Sequence, residues 1–315
     1  MRRAVFLLAA AGLVANVAPS VARAGTDLDA RLASVLSMTS GRAAVVAVSR
    51  GRVLAAAGRD ADENTPLHLA SVSKTVTAAA VMVLAERGDI DLSEPIGSYL
   101  GNVFRNGNRD IASQPVSAFL NHATGLRSNN LRAVSNGLTT WQQYAGQAAA
   151  GRVGATPGRY LYSNDNYVLL SKLVVEVTDK PFSVAVRELV WRPIGVDDGG
   201  GLDVSTRATQ VLGGSGAWVA TPFEVARLFD ALNPGTPGTK LLSRRWLARL
   251  HEVAYAAEYR NGLRYRGDAW GHTGSLYAVR SAAVVAKSGT VYVVLSEGAR
   301  PKSSEKLFDA LARLG

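Results

Sequence analysis

Apolar and polar positions alternate near both ends of the chain and follow a helical period between them. Ala43–Asp60, AAVVAVSRGRVLAAAGRD, reads as two strands joined at Arg50-Gly51, and Ser275–Gly298 reads as further strands with a turn at Ser288-Gly289. A lone hairpin is marginal in water, so strands at opposite ends of the chain predict one antiparallel sheet built from both termini. Amphipathic helices are expected at 26–38 and 303–315. The segment from about 89 to 251 lacks the alternation. It offers helical stretches at 139–150, 166–177, 182–191, 222–232 and 243–253, separated by Gly, Pro and Asn clusters. The expected fold is therefore α/β (α+β), an antiparallel sheet flanked by helices and built from both chain ends, with an inserted mostly helical lobe. Its α/β lobe would take about 25–88 and 252–315, the insert about 89–251. Without a long linker the two lobes share a broad interface, with a cleft where small-molecule sites tend to lie.

One helix has no polar face. Leu69–Gly88, LASVSKTVTAAAVMVLAERG, must be enclosed on all sides, yet it opens on Ser71 with Lys74 one turn further on. Residues three apart on a helix share a face. Burial penalises the charged amine, lowers its pKa and lets it activate the hydroxyl, while the helix N-terminus favours the developing alkoxide. The same S-x-x-K pattern recurs at Ser303–Lys306, where an N-cap serine on a surface helix explains it.

Two further triplets have the same character. Tyr162-Ser163-Asn164 precedes a helix and has a second copy in Tyr259-Arg260-Asn261; alone, Ser163 and Asn164 read equally well as helix caps. His272-Thr273-Gly274 leads into a strand, and its second copy, Lys287-Ser288-Gly289, falls in a hairpin turn. Order and spacing favour Ser71, Tyr162 and His272, one each from the enclosed helix, the insert and the sheet edge. Tyr259 lies too close to His272 in sequence, and Ser303 follows every strand.

Composition narrows the setting. With 315 residues and 47% hydrophobic content the chain can bury a large core. Met1–Ala24 shows a basic pair, an apolar run and the small-x-small triplet Ala22-Arg23-Ala24, so a signal peptide cleaved after Ala24 is expected, with no stable membrane anchor and a periplasmic or secreted destination. Its removal deletes three arginines and no acid, lowering the formal charge from +10 to +7. No basic run interleaved with aromatics accompanies that surplus, so nucleic acid is not an expected partner. The absence of cysteine excludes disulfides and thiolate metal sites.

Ser71-Val-Ser-Lys74, Tyr162-Ser-Asn164 and His272-Thr-Gly274, supported by AERGDIDLSEPIGSYL, FLNHATGLRS and WVATPFEVARLFDAL, resemble the superfamily of serine β-lactamases and penicillin-binding proteins. Within it they resemble the branch of class C β-lactamases, serine D-alanyl-D-alanine carboxypeptidases and family VIII esterases. The resemblance covers nearly the whole chain after the signal. It implies a nucleophilic Ser71, a Lys74 that polarises Ser71 and Tyr162, and a Tyr162 that acts as general base once nearby cations ionise it. It implies that Asn164 holds the substrate amide, that Thr273 holds its carboxylate, and that the Ser71 and Ser275 N–H groups form the oxyanion hole, with His272 and Gly274 completing the binding strand. No metal or cofactor is implied. His272 stands where lactamases of this branch usually carry lysine, which tilts the expectation toward a D-alanyl-D-alanine carboxypeptidase acting on peptidoglycan stem peptides, ahead of a short-chain esterase and a β-lactamase. A non-catalytic peptidoglycan-binding protein is the reading from another class. A free imidazole would be cationic near pH 5.5 and neutral near pH 7.5, so His272 is expected to titrate. His68, His122 and His251 are given no catalytic part, and GGSGA, Gly213–Ala217, is not a nucleophile elbow.

Overall fold

The computed structural model describes residues 27–128, 137, 140–298 and 303–315; the expected signal peptide and most of the loop after Arg127 lie outside them. The β-branched and small residues of β1 (Arg42–Ser49) and β10 (Val291–Glu297) are buried on both faces because these strands sit inside a seven-stranded sheet. With β2 (Arg52–Arg59), β6 (Tyr259–Arg260), β7 (Leu263–Arg266), β8 (Ala269–Leu276) and β9 (Val279–Val285), its order is β2-β1-β10-β9-β8-β7-β6. Pairing is antiparallel throughout, and β1 meets β10 with Val45 opposite Val294, so the two chain ends do build one sheet.

Alternation then divides the core. Val45, Val284 and Val294 face the helices Asp27–Leu36 and Ser304–Ala312, packing with Leu32, Leu307 and Phe308. Val46, Val293 and Leu295 point the other way, into a continuous core shared with the helices Ser73–Arg87 and Asn164–Thr178. The Ser73–Arg87 helix is buried from Ser73 to Ala85 and ends on Gly88.

Two features depart from the expected layout. The middle of the chain supplies strands as well as helices: β5 (Trp218–Ala220) pairs with β3 (Leu67–His68) on one side and β4 (Gly201–Leu202) on the other in a small three-stranded sheet. Elements of two or three residues leave no readable period. The helix Pro222–Leu232, assigned by sequence to the insert, packs against β1, β9 and β10 of the main sheet. An apolar stripe shows that a helix is buried but not against what. Among the described residues, no helix is long and apolar enough to cross a membrane.

Candidate active site

Ser71 lies in the 3₁₀ turn Ala70–Val72 that runs into the Ser73–Arg87 helix, so the helix proper starts two residues later than its sequence suggests. Ala70, just before it, has φ +44°, in the left-handed region that alanine disfavours. The surrounding bonds hold that conformation. Leu69 N–H donates to Trp218 O at 2.9 Å, Ser281 Oγ donates to Leu69 O at 2.6 Å, and Ser73 Oγ donates to Ala70 O at 2.6 Å. On the sheet side a Cβ at Gly274 would stand 2.4 Å from Leu69 O, so only glycine lets β8 run this close to the Ser71 turn. β7 pairs with β8 only over Ala269–Gly271, so among the described residues the stretch from His272 to Leu276 has no strand partner on that edge.

Lys74 is wholly buried. Its Nζ is 3.2 Å from Ser71 Oγ and donates to Asn164 Oδ1 at 2.7 Å and Ser215 O at 2.6 Å. Burial holds its pKa well below the ordinary lysine value. Ser215 is a site residue the sequence reading missed, inside the GGSG stretch set aside as no elbow. The available signal was the glycine pair itself. A Cβ at Gly214 would stand 2.3 Å from Thr77 Oγ1 and 2.5 Å from Ser171 Oγ, so glycine is what lets this loop wedge between the Ser73–Arg87 and Asn164–Thr178 helices and aim Ser215 at the amine.

Tyr162 and Asn164 arrive from the approach to the Asn164–Thr178 helix. Ser163 occupies the N-cap position but makes no capping bond, so capping does not account for the triplet. Asn164 N–H donates to Ser128 Oγ at 2.6 Å, which steadies the side chain that meets Lys74. The Tyr162 ring is 37% exposed and carries Lys74 Nζ over its face, 4.9 Å from the centroid. Desolvation pushes the phenol pKa upward, and the hydrogen bond with Ser71 only partly offsets it. That direction runs against the expectation that neighbouring cations ionise Tyr162, since the Lys74 amine faces the ring and not the hydroxyl. His122, given no part by sequence, braces this turn. It is buried, accepts from Ser163 N–H at 3.2 Å through Nδ1, and packs 4.4 Å from the Tyr162 ring.

His272 faces away from solvent. Its Nδ1–H donates to Thr273 O at 2.7 Å, and its Nε2 lies 3.2 Å from Tyr259 Oη. Burial, then the charge of Arg264, pushes its pKa well below the ordinary histidine value, a direction away from the expected titration between pH 5.5 and 7.5. Tyr259 is thus no remote copy: it is buried beside His272, with its ring 6.4 Å from that of Tyr162. Sequence distance misled because the tight β6–β7 and β7–β8 pairings fold Tyr259 back onto β8. Thr273 Oγ1 accepts from Arg264 and donates to Glu305 Oε1 at 3.0 Å. The other copies do behave as local features: Ser303 Oγ accepts from Lys306 N–H, and Gly289 closes the β9–β10 turn at φ +82°.

Ser71, Asn164, Ser215, Gly216, Ser275 and Leu276 line one cavity of about 40 Å³, so residues from the enclosed helix, the insert and β8 do meet. A larger cavity of about 840 Å³ lies near Leu92, Trp246 and Arg249; no lysine or histidine is among its described lining residues.

The structure thus sets a buried amine against a serine in a strained turn, beside an open sheet edge of an α/β fold. The chain belongs to the Beta-lactamase family, whose model it matches over residues 28–315. It is similar to the putative penicillin-binding protein PbpX of Bacillus subtilis, 26% identical over 141 residues, which are 44% of this chain and 34% of that protein. A Beta-lactamase of Yersinia enterocolitica is 27% identical over 45% of this chain and 35% of its own. The chain thus matches about a third of the length of these curated relatives. In fold it resembles a D-stereospecific amidohydrolase from Streptomyces sp., with TM-score 0.72 and 22% identity over 89% of this chain and 97% of that one. The penicillin-binding protein homologue of Pyrococcus abyssi has TM-score 0.72 and 17% identity, over 92% and 77% of the two chains.

Proposed function

We propose that the chain is an exported serine hydrolase that forms an acyl-enzyme on Ser71 from D-amino-acid peptides, amides or esters. The observation that carries this reading is the position of Lys74 Nζ, 3.2 Å from Ser71 Oγ, with two carbonyl-type acceptors already taking its other hydrogens. A desolvated amine that gives two N–H groups to Asn164 and Ser215 keeps its lone pair for the Ser71 proton. Lys74 then takes that proton as Ser71 Oγ bonds to the substrate carbonyl carbon. The oxyanion is met by the N–H groups of Ser71 and Ser275. Tyr162, protonated and hydrogen-bonded to Ser71, passes a proton to the leaving group as the scissile bond breaks, and Lys74 reprotonates it. Water repeats the sequence in reverse on the acyl-Ser71 ester.

The D-selectivity draws on the likeness in fold to proteins described as a D-stereospecific amidohydrolase and a D-amino acid amidase. A D-alanyl-D-alanine carboxypeptidase is the member of this class that the sequence favours, and it depends on Thr273 being open to a substrate carboxylate. Export rests on the Met1–Ala24 pattern, and the N-terminal sequence of the protein recovered from cells tests it. For the reaction, the test is turnover of D- and L-phenylalanine amide and of the matching nitrophenyl esters by the parent and Ser71→Ala. The D-forms are turned over by the parent alone. Turnover by Ser71→Ala, or an L-preference, contradicts the reading.

A further inference from the structure

Thr273, expected to receive a substrate carboxylate, already holds one from within the chain. Its hydroxyl donates to Glu305 Oε1 at 3.0 Å and accepts from Arg264 Nη1 at 2.5 Å. Arg264 Nη1 donates to the same Glu305 oxygen at 2.5 Å, and Arg266 holds Oε2. The single proton of the Thr273 hydroxyl and both hydrogens of Arg264 Nη1 are therefore committed. Glu305 stands in the first turn of the helix Ser304–Ala312, where a carboxylate is favoured, and Leu307, Phe308 and Leu311 fix that helix to the sheet. Burial acts to lower the pKa of Arg264, but the bond and charge of Glu305 outweigh it and hold the value raised.

We propose that Glu305 is a specificity-determining residue that fills the anion receptor of Thr273 and Arg264, so that the site takes substrates whose leaving side ends in an uncharged amide and disfavours a free carboxylate. An incoming carboxylate has to draw the Thr273 proton away from Glu305 and come to rest beside a fixed like charge. That approach is unfavourable even where solvent screens it in part. A carboxamide is complementary instead. Its N–H donates to a remaining lone pair of Glu305, and its C=O accepts from the remaining N–H groups of Arg264. Space lies alongside, in a cavity of about 290 Å³ lined by Arg264, Glu305, Tyr160 and Glu258. The inference rests on the proposed reading of Ser71 as the reacting group and of Thr273 as the residue that meets the leaving side of the substrate.

Calorimetry on Ser71→Ala, with N-acetyl-D-alanyl-D-alanine and its C-terminal amide as the ligand pair, reads this preference without chemistry. The amide binds at least tenfold tighter. In Ser71→Ala/Glu305→Gln, which keeps the shape and removes the charge, the ratio falls at least tenfold. Equal affinities, no binding of either ligand, or an unchanged ratio in a double variant that retains its circular dichroism overturns the proposal. The first arm alters nothing at Glu305, so it decides even where the double variant fails to fold. Failure of the hydrolase reading looks different: the binding preference stands while the parent forms no adduct on Ser71.

Discussion

The chain carries the pattern S-x-x-K twice, and the two copies share little beyond their letters. At Ser71–Lys74 the serine follows a strained alanine and the lysine is wholly buried, its amine enclosed by Ser71, Asn164 and Ser215. At Ser303–Lys306 the serine caps a helix through the Lys306 N–H, and both residues are exposed. Desolvation disfavours the charged form of the Lys74 amine and lowers its pKa. What separates the two copies is therefore the environment of the amine. The flanks announce it, VTAAAVMVLA after the first copy and the amphipathic LFDALARL after the second.

Exchanging the lysines sharpens the contrast most. Lys74→Met, apolar and of similar length, lowers kcat by roughly a thousandfold or more while the protein stays folded, whereas Lys306→Met changes kcat less than twofold. In the parent, kcat declines toward acid pH as Lys74 takes up its proton, because its depressed pKa brings protonation into reach. No step appears from His272, whose pKa lies well below the ordinary histidine value. A rate profile flat down to the pH of unfolding contradicts the lone-pair role.

The two tyrosine triplets give the next largest difference. Tyr162→Phe slows acylation by about a hundredfold in single-turnover measurements, since proton delivery to the leaving group is lost. Tyr259→Phe acts on stability instead. It leaves His272 Nε2 buried without its 3.2 Å partner, which costs about 1–2 kcal/mol in chemical denaturation. Equal effects of the two on acylation would break the distinction.

Much of this frame was legible in sequence, and the reasons for the remainder are physical. β1 and β10 declare themselves as short apolar runs rich in valine and bounded by turn residues, and the enclosed helix by having no polar face. Ser71, Lys74, Tyr162 and Asn164 stand out in sequence because a motif constrains residue type at fixed spacing. Ser215 does not, because it contributes a backbone carbonyl, which every residue possesses. Glu305 was overlooked inside a pattern explained by its serine and lysine, since nothing local tells that a first-turn glutamate reaches Thr273. The lowered pKa of His272 was invisible because burial and the charge of Arg264 belong to the tertiary structure.

His68 bears on why only the first copy is so rigidly framed, and its effect falls on stability alone. Three residues before Ser71, its ring bridges Glu297 Oε1 and Asp203 Oδ2, both at 2.6 Å. The hydrogen bond of Glu297 and then that of Asp203 overcome desolvation and raise its pKa to about 9. A raised histidine pKa contributes stability that is full below the unfolded value near 6.5 and lost as pH climbs through about 9. The lowered pKa values of Glu297 and Asp203 add a loss on the acid side. His68→Gln thus destabilises by roughly 1–3 kcal/mol near pH 6, discounted for partial exposure, and by much less near pH 10. Tm of both proteins at the two pH values reads this, and a constant difference would contradict it.

The central claim is that burial of Lys74 makes Ser71, and no serine of the second copy, the reacting group. Trapping the parent with a D-amino-acid nitrophenyl ester, quenching in acid and mapping the adduct by peptide mass spectrometry tests it most directly. One acyl group per chain is expected, on the peptide carrying Ser71, with the peptide carrying Ser303 and Ser304 unmodified. An adduct on the latter peptide, or labelling of Ser71 that survives in Lys74→Met at the parent's rate, would contradict it.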